Sequence, residues 1–213
     1  MENEAITFAG LLCSRLCHDV LSPMGALGNG LDLLAQETDP AMQAECLALL
    51  TQSNQAALNK LRFFRLAFGA SSGRGDGIEV AELCSALEGV FPASRPIDFR
   101  WHLGGGPLPR TAAKILLNLG LIAGDALVRG GQLDLAVETR GPRTELVVRA
   151  EAERIALDSE VRRTLLGVLP ATDLTPRLAP AWMAAHLAQS GGEGLQISPA
   201  DARFLLFGAV LIS

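Results

Sequence analysis

Tyrosine is absent from the chain, and phenylalanine and tryptophan together make up only 5% of its 213 residues. So few rings argue against an aromatic-packed β-sandwich and for helix packing, because Leu and Ala supply most of the apolar side chains. Long apolar runs are missing too. The most apolar helix candidate, Ala112 to Val128, is interrupted by Lys114, Asn118 and Asp125, so no membrane span is expected. Paired cysteine spacings are missing, and four scattered thiols fit a reducing compartment without a disulfide frame. Positive charge is in deficit, with 18 Lys and Arg against 23 Asp and Glu, which excludes the basic footprint of a nucleic-acid binder. The opening Met1-Glu2-Asn3-Glu4 lacks the basic start of a secretory signal, so a cytoplasmic location is expected. Against these absences stands an apolar excess: 49% of the residues are hydrophobic and the mean hydropathy is +0.28.

Much of that excess is periodic. From Glu4 to about Gln36 the residues Cys13, Cys17, Val20, Met24, Leu27, Leu31 and Leu34 alternate steps of four and three, a heptad seam on one long helix. Thr38-Asp39-Pro40 breaks it, with Asp39 as N-cap and Pro40 opening a second helix that runs to about Phe68. Its seam reads Leu47, Leu50, Asn54, Ala57, Leu61, Phe64, Phe68. So short a connection makes the two helices antiparallel neighbours. Leu12, Leu16, Leu33, Leu49 and Leu58 widen both stripes beyond what one partner helix covers, so a homodimer forming a four-helix bundle is expected.

The small, polar stretch Ala70 to Gly77 reads as a boundary between a helical-hairpin domain, residues 1–70, and a second domain, residues 78–213. Helices are predicted over Val80–Phe91, Arg110–Val128, Ser159–Val168 and Ala181–Gln189. Strands are predicted over Ile97–Leu103, Gln132–Thr139, Thr144–Ala150, Gly194–Ser198 and Arg203–Leu211. Runs of helix followed by hairpin strands make an α+β sandwich.

The chemistry concentrates at Leu16-Cys17-His18-Asp19-Val20-Leu21-Ser22-Pro23-Met24. With Cys17 and Val20 on the seam, His18 faces solvent, where a packed structural histidine would not sit. Ser14, Ser22, Gly25 and Ala26 share its face and leave the imidazole open to a docking protein. Pro23 and Gly25 are costly inside a helix, and a closely approachable surface beside a reactive histidine is a reason to keep them.

His18-Asp19-x-x-Ser22-Pro23 resembles the H-box of dimeric sensor histidine kinases, with Leu21 standing where that family has a polar residue. The kinase nucleotide boxes are eroded. Asn118 to Ala123 is similar to the N-box, but Ile122 replaces its magnesium-holding Asn. Ala150 stands for the adenine-reading Asp, and Thr175-Pro176-Arg177-Leu178-Ala179 replaces a glycine-rich box. Without those glycines the backbone cannot approach a triphosphate. The whole chain therefore resembles the ChpT-type histidine phosphotransferases of cell-cycle phosphorelays, and in layout the sporulation phosphotransferase of bacilli.

That resemblance implies a degenerate ATPase-like α/β sandwich behind a dimeric hairpin bundle. It implies that His18 takes a phosphoryl group from the receiver domain of a hybrid histidine kinase and hands it to response regulators, without ATP. It implies no cofactor, with Mg2+ only in the partner receiver. Asp19 is expected to orient or assist the imidazole. Ser14, Arg15, Leu21, Ser22, Gly25, Lys60 and Arg62 are expected to meet the receiver, the last two being cations on the second helix that lie opposite His18 across the hairpin. An alternative is a pseudokinase-like adaptor that binds receivers or kinases without carrying phosphate. Cys13, Cys17 and His18 as a metal cluster, His102 and His186 as functional groups, and Gly104-Gly105-Gly106 as a phosphate loop all have plainer readings as core, structural histidines and a turn.

Overall fold

A computed structural model describes residues 2–69 and 77–212. Apart from Gly77, the boundary stretch read from the sequence lies outside the described residues. Helix α1 (Glu2–Gln36) and helix α2 (Pro40–Phe68) form the antiparallel hairpin. The bend is tied locally. Asp39 caps α2 by accepting from the Ala41 amide at 3.1 Å, and the Glu37 carboxylate accepts from the Thr38 and Asp39 amides at 2.8 and 2.9 Å.

The seam between the helices differs in phase from the one the sequence suggests. On α1 it is Leu12, Leu16, Asp19, Pro23, Leu27, Gly30 and Leu34 that turn inward, and on α2 it is Cys46, Leu50, Ser53, Ala57, Lys60 and Phe64. Gly30 lets Leu50 press against the α1 backbone, where a Cβ would stand 2.8 Å from its side chain. The expected seam residues Cys13, Cys17, Met24, Leu31, Leu47 and Leu61 lie outside and exposed. Both stripes are apolar, so period alone could not choose which faced α2. Gly30, Ser53 and Ala57 on the inner seam allow a close approach at their levels.

The C-terminal part begins with β1 (Gly77–Ile78), α3 (Val80–Glu88), β2 (Ile97–Leu103), β3 (Leu108–Pro109) and α4 (Arg110–Ala126). There follow β4 (Gly131–Arg140), β5 (Arg143–Glu151), α5 (Ser159–Leu165), 3-10 turns at Ala171–Asp173 and Pro176–Leu178, α6 (Ala179–Gly191), β6 (Gly192–Ile197) and β7 (Phe204–Ile212). Five strands form one sheet in the order β2-β4-β5-β7-β6, parallel only between β2 and β4, while β1 and β3 pair separately. The sequence expectation of an α+β sandwich holds.

Period-two alternation decides the faces. Leu133, Leu135 and Val137 on β4, Leu146, Val148 and Ala150 on β5, and Leu205, Phe207, Ala209 and Leu211 on β7 are buried under α4 and α6. The other face carries ion pairs such as Arg149 with Asp134 and Arg143 with Glu145. Gly141, at φ 58°, makes the first position of the two-residue β4–β5 turn, with Pro142 second. The expected helix to Phe91 stops at Glu88, and the one to Val168 stops at Leu165.

Hairpin and sandwich share one core. Phe63, Leu66 and Ala67 of α2 belong to the same buried cluster as α4 and the sheet. Lys114 donates to the Gly69 carbonyl at 2.7 Å and Asn118 to that of Ala67 at 3.3 Å, satisfying carbonyls at the end of α2. At the same open end of the hairpin, Phe8 of α1 packs on Trp182 with ring centroids 4.0 Å apart, and Trp182 stacks on His186. No helix among the described residues is long and apolar enough to cross a membrane.

Candidate functional site

The His18 side chain is 86% exposed in the middle of α1. Its Nδ1 lies 3.1 Å from Asp19 Oδ1. Neighbours in a helix point 100° apart, but Nδ1 sits close enough to the backbone for a short carboxylate to reach sideways to it. An ionised carboxylate only accepts, so in the neutral ring this contact puts the proton on Nδ1 and the lone pair on Nε2.

Asp19 is held from two further directions. Its Oδ2 accepts from Arg15 Nε at 2.7 Å, with both side chains about one-fifth exposed (18% and 20%). Its backbone carbonyl would ordinarily bond the amide of residue 23, but Pro23 has none. Lys60 Nζ donates to that carbonyl instead, at 2.8 Å.

The same Arg15 guanidinium reaches across to the C-terminal part, where its Nη1 donates to the Arg177 carbonyl at 3.1 Å. Arg177 is itself anchored, donating to Asp158 and to Glu160 at 2.8 Å each. The bond from the Arg177 guanidinium, helped by the α5 amides that Asp158 caps, holds the Asp158 carboxyl below its ordinary range. Thr175 to Ala179, the segment standing where the kinase resemblance places a glycine-rich nucleotide box, thus lies against α1 beside the phosphoacceptor candidate.

Between α1 and this segment opens a cleft of about 770 Å³ reaching His18, with Leu121, Ile122 and Leu157 in its wall. Asp125 also lines it. Desolvation pushes its carboxyl above the ordinary range, opposed by the Arg95 guanidinium at 3.2 Å. Ile122 occupies the place of the metal-holding Asn of the N-box, and Ala150 is fully buried in β5. Asn118, the other N-box residue, spends its amide donors on the Ala67 and Lys114 carbonyls.

His18, Asp19, Arg15 and Lys60 therefore come together. Ser14, Leu21, Ser22 and Gly25 are exposed on the His18 side of α1, Leu21 at 67%. A Cβ on Gly25 or Gly28 would meet nothing within 4 Å, so this surface is open. Arg62 is exposed too, but about 200° around α2 from Lys60, so the two cations do not act together. His102 lies on the edge strand β2, exposed and 3.9 Å from Asp134. Cys13 and Cys17, expected in the core, are exposed. The sequence reading missed the part played by Arg177 and Asp158. Its one signal was a basic residue inside an eroded glycine box.

A family model described as the histidine phosphotransferase C-terminal domain matches residues 80–203. Protein phosphotransferase ChpT of Brucella abortus (strain 2308) is 29% identical over 206 residues, covering 97% of this chain and 96% of its own. A solved bacterial phosphotransferase is 30% identical, with a TM-score of 0.80 and 96% of each chain covered.

Proposed function

This chain belongs to the histidine phosphotransferase family, and from that premise we propose that His18 Nε2 carries the phosphoryl group between receiver aspartates of a two-component phosphorelay. Nε2 attacks the phosphorus of an aspartyl phosphate on a receiver. The N–P bond forms as the bond to the aspartate oxygen breaks, and that carboxylate leaves. Nδ1 keeps its proton, so the phosphorylated ring is cationic, and the Asp19 carboxylate at 3.1 Å meets the developing charge. Return to a second receiver's aspartate reverses these steps.

The observation that carries this reading is the exposed Nε2 of a ring whose Nδ1 is already bonded to Asp19. The metal that screens the phosphoryl oxygens belongs to the receiver in this scheme. Phosphate comes from a protein rather than from ATP, a reading supported by Ile122 and Ala150 at positions where the resemblance needs a metal ligand and an adenine-reading Asp. The donor is the receiver of a hybrid kinase and the acceptors are response regulators. They dock over Ser14, Leu21, Ser22 and Gly25.

The working unit is a homodimer. Met24 and Leu31 on α1 and Leu47, Leu58 and Leu61 on α2 are exposed in the single chain, and a second hairpin covers that stripe to make a four-helix bundle.

Incubation with a labelled phospho-receiver tests the proposal: wild type acquires label and His18→Ala does not. A complex with the receiver but no transfer would make the protein an adaptor.

A further inference from the structure

Two residues of the hairpin are costly where they stand. Pro23 lies inside α1, where it deletes one backbone hydrogen bond. Lys60 occupies an inner-seam position of α2, in register with Leu50, Ser53, Ala57 and Phe64, where a small or apolar residue would pack without desolvating a charge. Each explains the other. The bond that Pro23 removes is the one to the Asp19 carbonyl, and the Lys60 ammonium is the group that donates to that carbonyl, at 2.8 Å.

We propose that Lys60 is a positioning residue for phosphotransfer: it replaces the helix hydrogen bond that Pro23 deletes and thereby fixes the turn of α1 that presents Asp19 to His18. The Asp19 carbonyl it holds and the Asp19 carboxylate that accepts the hydrogen bond from His18 Nδ1 belong to one residue, so a carbonyl left without a donor loosens the grip on the imidazole. A proline at this place opens the turn to an approaching receiver by thinning the backbone ladder, and the lysine restores rigidity from the inner side, away from the docking surface. This role rests on His18 as phosphoacceptor, and it differs from contact with receiver or phosphate because it depends on Pro23.

A double-mutant cycle separates the two roles, using wild type, Lys60→Met, Pro23→Ala and the double variant as full-length protein. With saturating phospho-receiver, Lys60→Met lowers the transfer rate constant about tenfold and leaves KM within about twofold, and Lys60→Arg restores most of the rate. In the Pro23→Ala background, where residue 23 regains its amide proton, Lys60→Met costs less than about twofold. The same cycle is read in the thermal midpoint: Lys60→Met lowers it by about 3 °C when Pro23 is present and by under about 1 °C in the Pro23→Ala background. Equal losses in both backgrounds, or a loss confined to KM, would overturn the proposal and assign Lys60 to the receiver. The melting arm reads the coupling even where transfer fails, so the failure of the phosphotransfer reading is distinguishable from the failure of this one.

Discussion

The Nδ1 atom of His18 stands 3.1 Å from Oδ1 of Asp19, the residue next to it on the same helix. From that contact runs a continuous path. The second oxygen of Asp19 holds Arg15, Arg15 holds the Arg177 carbonyl, and Arg177 is pinned by Asp158 and Glu160. The orientation of an exposed imidazole on the hairpin is thus tied to a turn of the C-terminal sandwich.

Asp19→Asn removes the charge that fixes the tautomer and balances the phosphorylated ring. Transfer from a phospho-receiver should fall about tenfold to 10²-fold. In 15N NMR spectra the His18 ring should move from a single Nδ1–H tautomer toward a mixture. Unchanged ring shifts would remove Asp19 from the mechanism.

Arg15→Gln breaks the bond between Asp19 and the sandwich. Because both side chains of the Arg15–Asp19 pair are only about one-fifth exposed (18% and 20%), the loss should cost about 2 kcal/mol in urea unfolding. Arg15→Lys should recover part of the transfer rate, having one donor group in place of a fork.

Leu47→Glu with Leu61→Glu places two charges on the exposed stripe of α2, where Leu47 is 53% and Leu61 is 44% exposed in the single chain. Light scattering should show the mass drop from twice 22.4 kDa to 22.4 kDa while far-ultraviolet dichroism keeps its helical signal. A monomeric wild type would contradict the bundle.

Asp158 gives a pH signature. Its folded carboxyl titrates below the ordinary value of 3.8, chiefly through the bond from Arg177. The stabilisation is therefore fully present above that value and is lost as the pH falls through the lower folded one. Asp158→Ala should cost about 1 kcal/mol at pH 7 as a lost helix cap. The gap between variant and wild-type melting temperatures should close as the acid pH falls through the lowered folded titration of Asp158. A gap that persists in acid would assign the loss to packing.

The sequence exposes what is periodic and local. β2 is found at its predicted ends, the Asp39-Pro40 start of α2 is visible as a cap, and His18 is placed toward solvent. The seam phase was not legible, since Cys17 and Met24 are as apolar as Leu16 and Pro23, and only three-dimensional fit between α1 and α2 chooses between them. Lys60 was visible as a cation opposite His18, but its target is a backbone carbonyl, and backbone groups leave no mark in a side-chain pattern. The pairing of β1 with β3 was missed because two-residue strands have no period to read. The Phe8–Trp182 contact joins residues far apart in sequence on elements whose docking no local rule predicts.

The most direct test of the whole account is the fate of label from a phosphorylated receiver. The wild-type chain should take up an acid-labile, alkali-stable phosphoryl group, located at His18 Nε2 by 31P and 15N NMR, and should release it to a second receiver. His18→Ala should take up none. A wild type that stays unlabelled, or a His18→Ala variant labelled to the same extent, would contradict it.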